Sequence, residues 1–312
     1  MRTPAIAPSP LAVVEVIGQR LLATASFRPT SRWAPAPYGP NRALQAPPRD
    51  YARRVNRNDA PILTAAEVEE YRAQGFACVD RPLFSPTALG EVRRHLDHLF
   101  ERYDRIPFGF AQDLDPQADG NATPRIPEIN FTTVLAPRLL RSAPLRVCTQ
   151  IARQLHGPQA HLVFDHAIYK PGSNGAATPW HQDAAYAKPN EQVVGFWVPL
   201  QSVGIDNGCM RFVPKSHLAG LIEHDRLATA TNPRLRVAHP AADDIVYCPV
   251  CEGGVVLHNS LTLHSTGANE GATTRRVWIL NFGVAGRAQG PLNRRIRATR
   301  VRAGIAVRRL SR

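Results

Sequence analysis

Trp180-His181-Gln182-Asp183 is the stretch on which the reading of this chain turns, with His264 standing 81 residues beyond Asp183 and Arg275 a further eleven residues on. In a strand, residues i and i+2 project to the same face. His181 and Asp183 can therefore offer an imidazole nitrogen and a carboxylate oxygen to one ion, if they sit on or just after a strand facing the inside of a barrel. His264, brought close by sheet pairing, completes a set of two histidines and one carboxylate. Such a set holds a non-heme Fe(II) on one face and leaves the opposite face open for a cosubstrate and O2. The competing reading is a surface His-Asp pair and an unrelated core histidine. It is weakened by the aromatic and apolar residues around both elements, Trp180, Tyr186, Val256, Leu257 and Leu263. An Arg after the turn at 267–274 supplies a planar fork for a carboxylate. Arg275 and Arg276 point to opposite faces by alternation, so a one-residue slip in register would exchange their roles.

The flanking sequence sets the fold class. Short β-rich runs are read at 161–170, 193–200, 210–213, 255–263 and 276–284, with Asp206-Asn207-Gly208 as a tight turn. In this reading His264 closes the strand 255–263 and Arg275 returns beside it in a hairpin. Ahead of the β-rich half lie helix signals. Thr64-Ala65-Ala66-Glu67 is a capping box for a helix that ends near Gly75, and Phe76-Ala77-Cys78-Val79 follows as a short strand. Ser85-Pro86 opens a second helix with the core stripe Leu89, Val92, Leu96, Leu99 and Phe100, and a third helix spans 143–155 before Gly157. Residues 105–130 and 218–249 are expected to be long loops over the barrel mouth, placed to act as lids. The expected fold is mostly β with N-terminal helices, a double-stranded β-helix (jelly-roll, cupin-like) barrel buttressed by α-helices.

Composition narrows the class. The chain has 312 residues, 44% hydrophobic and 20% charged, values of an ordinary globular protein. Residues 61–286 are read as one domain, between a Pro/Arg-rich extension (1–60, with a short helix at 9–22) and an Arg-rich tail (287–312). No apolar run approaches the roughly 18 residues of a membrane span. The formal charge is +13, and only Lys170, Lys188 and Lys215 of the 38 basic residues are lysines. Nine of the arginines fall between Arg287 and Arg312 with no aromatic among them, so the tail lacks platforms on which bases could stack. It is read as a solvated extension, and nucleic acid is not expected as a partner. The five cysteines are scattered, and the lone Cys248-Pro-Val-Cys251 is a weak metal or redox signal. The acid-poor N-terminus shares its composition with transit peptides, which is a cheap resemblance in an Arg- and Ala-rich chain. A cytoplasmic protein is the expectation.

Residues 64–284 resemble the phytanoyl-CoA dioxygenase family of Fe(II)- and 2-oxoglutarate-dependent oxygenases. The resemblance is carried by Leu63-Thr64-Ala65-Ala66-Glu67-Val68 with Gly75-Phe76, by Pro179-Trp180-His181-Gln182-Asp183, and by Asn207-Gly208-Cys209-Met210 with Pro214-Lys215-Ser216-His217. Its last segment runs from His264-Ser265-Thr266-Gly267-Ala268-Asn269 to Arg275. It implies His181, Asp183 and His264 as iron ligands. It selects Arg275 as the clamp for 2-oxoglutarate, with Thr266 as a hydroxyl partner of that carboxylate and Trp197 and His166 as wall residues. Fe(2+) and the cosubstrates 2-oxoglutarate and O2 follow, with a small-molecule substrate, an acyl-CoA or a natural-product intermediate, hydroxylated at an unactivated C–H bond. Related halogenases carry a small residue in place of the carboxylate, so Asp183 favours hydroxylation. The chain departs from the pattern at Lys215, often Gly, and at Gly253-Gly254, often Gly-Asp. A non-catalytic binding module on the same fold, or an oxygenase acting on nucleic acid, are the alternatives.

Overall fold

A computed structural model describes residues 60–284, apart from 108, 116–124, 174–175, 187–192, 228–233 and 238–239. The two extensions, including the short helix expected at 9–22 and the Arg-rich tail, lie outside the described residues. Among the described residues, no helix is long and apolar enough to cross a membrane.

Among the described residues, four α-helices precede the β-rich half: α1 (Ala65–Gln74), α2 (Pro86–Phe100), the single turn α3 (Thr132–Leu135) and α4 (Ala143–His156). The starts of α1 and α2 follow from the expected caps. The Thr64 hydroxyl accepts from the Glu67 N–H while the Glu67 carboxylate receives the Thr64 N–H, and Ser85 and Ser142 cap α2 and α4. Gly75 ends α1 with φ 87°. A Cβ there would lie 2.4 Å from Nδ1 of His217, so the position needs glycine twice over, for conformation and for space. His217 has a structural place under this turn, with Nε2 donating to the Arg72 carbonyl. Lys215 takes φ 64°, a left-handed backbone that accounts for the glycine usual at this position.

Seven strands form the larger antiparallel sheet, in the order β1 (Phe76–Val79), β11 (Val255–Asn259), β6 (Val193–Pro199), β13 (Arg275–Val284), β4 (Ala160–Lys170), β3 (Pro127–Asn130), β2 (Ala111–Asp113). Four form the smaller one: β10 (Val246–Cys248), β7 (Met210–Phe212), β12 (His264–Thr266), β5 (Thr178–His181). A hairpin of β8 (Asp225–Leu227) and β9 (Arg234–Arg236) stands apart. This is the jelly-roll arrangement expected. Alternation divides the larger sheet cleanly. Val194, Phe196, Val198, Trp278, Leu280 and Phe282 face outward onto Leu89, Val92 and Leu96 of α2 and Leu145, Cys148 and Ile151 of α4. Trp197, Val256, Val277 and Ile279 face inward with Phe76, Met210 and Phe212. Each fully buried large side chain contributes roughly 1.5–3 kcal/mol.

Three expectations are corrected. The strand from Val255 stops at Asn259, and His264 opens β12 in the other sheet; β12 and β13 therefore lie in different sheets and form no hairpin. The segment 105–130 is not one loop, since it supplies the edge strand β2 and its neighbour β3. The segment 218–249 likewise contributes β8, β9 and β10, whose polar, short runs left no periodicity to read. Arg276 faces away from Arg275, as alternation requires: Asp97 of α2 accepts from its Nε at 3.1 Å, and its guanidinium lies over Tyr169.

One helix-to-helix contact makes stability pH-dependent. The Tyr71 hydroxyl donates to Nε2 of His156 at 3.1 Å, which requires a neutral ring. Burial, aided by Arg72, lowers the His156 pKa from 6.5 to about 4. The unfolded chain therefore binds a proton before the folded one does. Stability present above pH 6.5 is lost as the pH falls towards 4. His156→Gln keeps an acceptor for Tyr71 and is expected to show a smaller drop in melting temperature across that interval. An equal drop in parent and variant would exclude His156 as a source of the acid sensitivity.

Candidate metal centre

His181 and His264 are direct cross-strand partners at the junction of β5 and β12. Asp183 lies beyond the strand, as the first residue of a 3-10 turn. What pulls the chain into that turn is Gln182, the residue between the two candidate ligands. Its buried side chain donates to the carbonyls of Gly220 and Leu261 and accepts from the Ile222 N–H, while its own N–H donates to His224. With this clamp set, Oδ1 of Asp183 stands 3.6 Å from Nε2 of His181 and 3.5 Å from Nε2 of His264. All three ligand atoms lie within 4.8 Å of one another. Separations of 3.5 Å or more are too long for good hydrogen bonds. They suit donors that share one ion, each about 2.1 Å from it.

The protonation states fit the same use. Nδ1 of His181 donates to the Pro179 carbonyl at 2.7 Å, and Nδ1 of His264 to the Thr262 carbonyl at 2.8 Å. Each Nε2 is thereby left with its lone pair directed inward. Burial, with repulsion from His181 and His258, holds His264 well below the ordinary histidine range. Burial alone would raise the Asp183 carboxyl, but His264, His181 and His258 around it hold it well below the usual carboxylate range. Two neutral imidazoles and one carboxylate are the ligand-ready forms.

Arg275 opens β13, opposite Lys170 of β4. Its side chain is 1% exposed. It donates to the Gly208 carbonyl at 2.6 Å and lies over the Trp197 ring, while its buried Nε has no partner. No carboxylate of the described residues pairs with it. A buried guanidinium in this state is a receptor for an anion brought from outside. The pocket connects to the ligand set through Thr266, which shares a face of β12 with His264 and whose hydroxyl receives Nζ of the buried Lys170 at 3.4 Å. Thr266 also donates to Thr178 at 2.8 Å. Trp197, Ile279 and His166 stand side by side across β6, β13 and β4 on the inward face. The residues expected from sequence thus share one interior. The donor set and Arg275, which no carboxylate of the described residues pairs, together fit an iron ion and a dicarboxylate.

A model of the phytanoyl-CoA dioxygenase (PhyH) family matches residues 71–277, which contain the ligand set and Arg275. The chain belongs to the phytanoyl-CoA dioxygenase family. Phytanoyl-CoA dioxygenase domain-containing protein 1 of Danio rerio is 25% identical over 264 residues, spanning 71% of this chain and 90% of that protein. EvdO2 of Micromonospora carbonacea var. aurantiaca, solved complexed with 2-oxoglutarate, is similar with a TM-score of 0.58 at 26% identity, over 73% of this chain and 95% of that one. The carbocyclase SnoK from nogalamycin biosynthesis shares the fold, with a TM-score of 0.56 at 24% identity over 75% and 91% of the two chains. As a phytanoyl-CoA dioxygenase family member, the protein is a 2-oxoglutarate-dependent non-heme iron dioxygenase, an oxidoreductase.

Sequence reading missed a third histidine of this family member's site. His258 of β11 is buried, and its Nε2–H donates to Oδ2 of Asp183 at 3.0 Å. It holds the carboxylate oxygen not shared with His181 and His264, and so steadies Oδ1 towards them. Gly195, its neighbour on β6, makes the room: a Cβ there would stand 2.7 Å from Cε1 of the ring and 2.9 Å from Nε2. Lys170 was missed as well, although a lysine ending an otherwise apolar strand was a visible signal. Cys248 and Cys251 are both free thiols, and among the described residues only His181, Asp183 and His264 group as a metal site.

Proposed function

We propose that the protein hydroxylates an unactivated C–H bond of a small organic molecule, an acyl-CoA or a natural-product intermediate, with succinate and CO2 as co-products. The observation that carries this reading is the convergence of Nε2 of His181, Nε2 of His264 and Oδ1 of Asp183, joined through Thr266 and Lys170 to the buried, carboxylate-free Arg275. An iron ion held by His181, Asp183 and His264, together with 2-oxoglutarate and O2, would supply the oxidising chemistry for hydroxylation. The chain's own residues bind, orient and exclude water. His181 and His264 present unprotonated Nε2 because a carbonyl holds each Nδ1–H. Asp183 contributes the anionic ligand, and its retention favours hydroxylation over halogenation. Arg275, Lys170 and Thr266 receive the distal carboxylate of 2-oxoglutarate, and Trp197 walls its chain. We place the protein in the cytoplasm, where the free thiols of Cys78, Cys148, Cys209, Cys248 and Cys251 stay reduced.

Anaerobic titration of the apo-protein with Fe(II) and 2-oxoglutarate tests the reading. A weak visible charge-transfer band is expected in the parent and is expected to be absent in His181→Ala. A folded parent without the band would move the protein to a non-catalytic binding role on this fold. Succinate release with acyl-CoA and ring-bearing compounds then reports the substrate. A product heavier by one oxygen identifies hydroxylation, whereas loss of two hydrogens would replace it with desaturation or ring closure.

A further inference from the structure

The inward face of the larger sheet carries an ionisable pair that takes no part in the ligand set and stands two strands from Trp197 of the Arg275 pocket. Nδ1 of His166 lies 2.5 Å from Oε1 of Glu128, and the Gln112 amide donates to the other carboxylate oxygen. Glu128 is 4% exposed, so both of its oxygens are committed inside the protein. The His166 side chain is 16% exposed. With Nδ1–H given to Glu128, Nε2 of the neutral ring is an acceptor, and no described residue donates to it.

This acceptor sits at the end of an aromatic wall. Phe164 stacks on the His166 ring at 4.9 Å, Phe131 meets Phe164 edge-on at 5.0 Å, and Phe110 meets Phe131 edge-on at 5.7 Å. All four side chains are only partly buried. Phe131 is there at a cost. Its φ of 55° and ψ of 46° are left-handed, a conformation that bulky L-residues rarely adopt. The turn is held by Asp165, whose carbonyl accepts from the Phe131 N–H and whose carboxylate receives the Thr132 and Thr133 hydroxyls and the Thr133 N–H. The wall also leads to the ligand set: Phe164 pairs across the ladder with Asn281, Asn281 with Gly195, and Gly195 with His258, which holds Asp183. Oδ1 of Asn281 is buried without a partner.

We propose that this wall is the subsite for the primary substrate, a ring-bearing molecule that stacks on Phe164 and Phe131 and donates a hydroxyl or N–H to Nε2 of His166. The proposal rests on the dioxygenase reading for its substrate but not for its binding chemistry. A plain acyl chain would leave the His166 acceptor desolvated and unpaired, which disfavours it. The residues of the wall include no Lys or Arg, and their one formal charge is the Glu128 carboxylate, which repels the phosphates of a CoA thioester.

Binding of 2-naphthol, 2-methoxynaphthalene and octanoyl-CoA to the full-length apo-protein, followed by ligand fluorescence or its displacement, tests this. Parent protein is expected to bind 2-naphthol roughly ten-fold more tightly than its methyl ether, the effect of one desolvated hydrogen bond. His166→Phe keeps the ring stack without the acceptor and is expected to erase that ratio, while Phe164→Leu weakens both naphthalenes. Because His166→Phe strands the Glu128 carboxylate, His166→Phe/Glu128→Gln is measured beside it, with melting curves for each. Equal binding of the two naphthalenes by the parent, or tighter binding of octanoyl-CoA, would overturn the subsite. So would a ratio that survives His166→Phe while more 2-oxoglutarate is needed for the chelate band, which would make His166 a cosubstrate wall residue only. A preserved ratio in a parent that gives no chelate band would sink the dioxygenase reading and leave the subsite standing.

Discussion

Arg275→Met is expected to weaken 2-oxoglutarate binding roughly thirty-fold or more, at least about 2 kcal/mol, while the apo-protein keeps its stability to within about 1 kcal/mol. The two halves of this result have one cause. Arg275 is a guanidinium 1% exposed with no carboxylate among the described residues, so the apo-protein carries a buried charge held mainly by the Gly208 carbonyl. Burial pushes its pKa down to about 10, which still leaves it charged at neutral pH. Met fills most of the same volume beside Trp197. It forfeits the Gly208 bond but also removes the cost of the unpaired charge, and these offset. The cosubstrate carboxylate, by contrast, loses its fork and enters a buried pocket with only Lys170 and Thr266 to receive it. Thermal melting and titration of the chelate band read the two effects separately. Unchanged 2-oxoglutarate affinity in Arg275→Met would remove Arg275 from the cosubstrate pocket, and a collapsed apo-protein would make it a structural residue.

Gly195→Ala is expected to lower metal affinity about ten- to hundred-fold without touching any ligand. The added Cβ would stand 2.7 Å from Cε1 of His258. That ring is buried between Phe212 and His264, so it has little room to yield without breaking its bond to Asp183. Released from His258, Oδ2 of Asp183 is free to swing, and the carboxylate loses its single preferred orientation. His258→Ala is expected to cost a similar amount, and the double variant little more than either change alone, because both act through the same hydrogen bond. Competition for Fe(II) with a coloured chelator measures all three. Parent-like metal affinity in Gly195→Ala would falsify the positioning role, and additive losses in the double variant would mean that glycine and histidine act independently.

Much of the architecture was legible before any coordinates. The Thr64 and Ser85 caps, the apolar stripe of α2 and most strand positions are visible because each depends on neighbours within a few residues. The His-x-Asp pair was visible for the same reason. The strand 255–263 reads too long because Leu261 and Leu263 continue the alternation begun by Val255 and Leu257, although the chain turns after Asn259 and changes sheet before His264. The strands β2 and β3 read as loop because Pro, Gly, Asp and Asn surround them; the pairing of β3 with β4, and of β2 with β3, overrides those weak preferences.

What the chain determined by itself was the helix boundaries, the two faces of each strand and the candidate ligands, all set by local sterics, capping and the two-residue period. The tertiary structure alone decided the partners. His258 reaches Asp183 across 75 positions of sequence, Glu128 reaches His166 across 38, and Lys170 faces Arg275 only through the β4–β13 register. Alternation says which way a side chain points, but not what it meets. That depends on strand order and register, which are settled by the packing of the whole barrel.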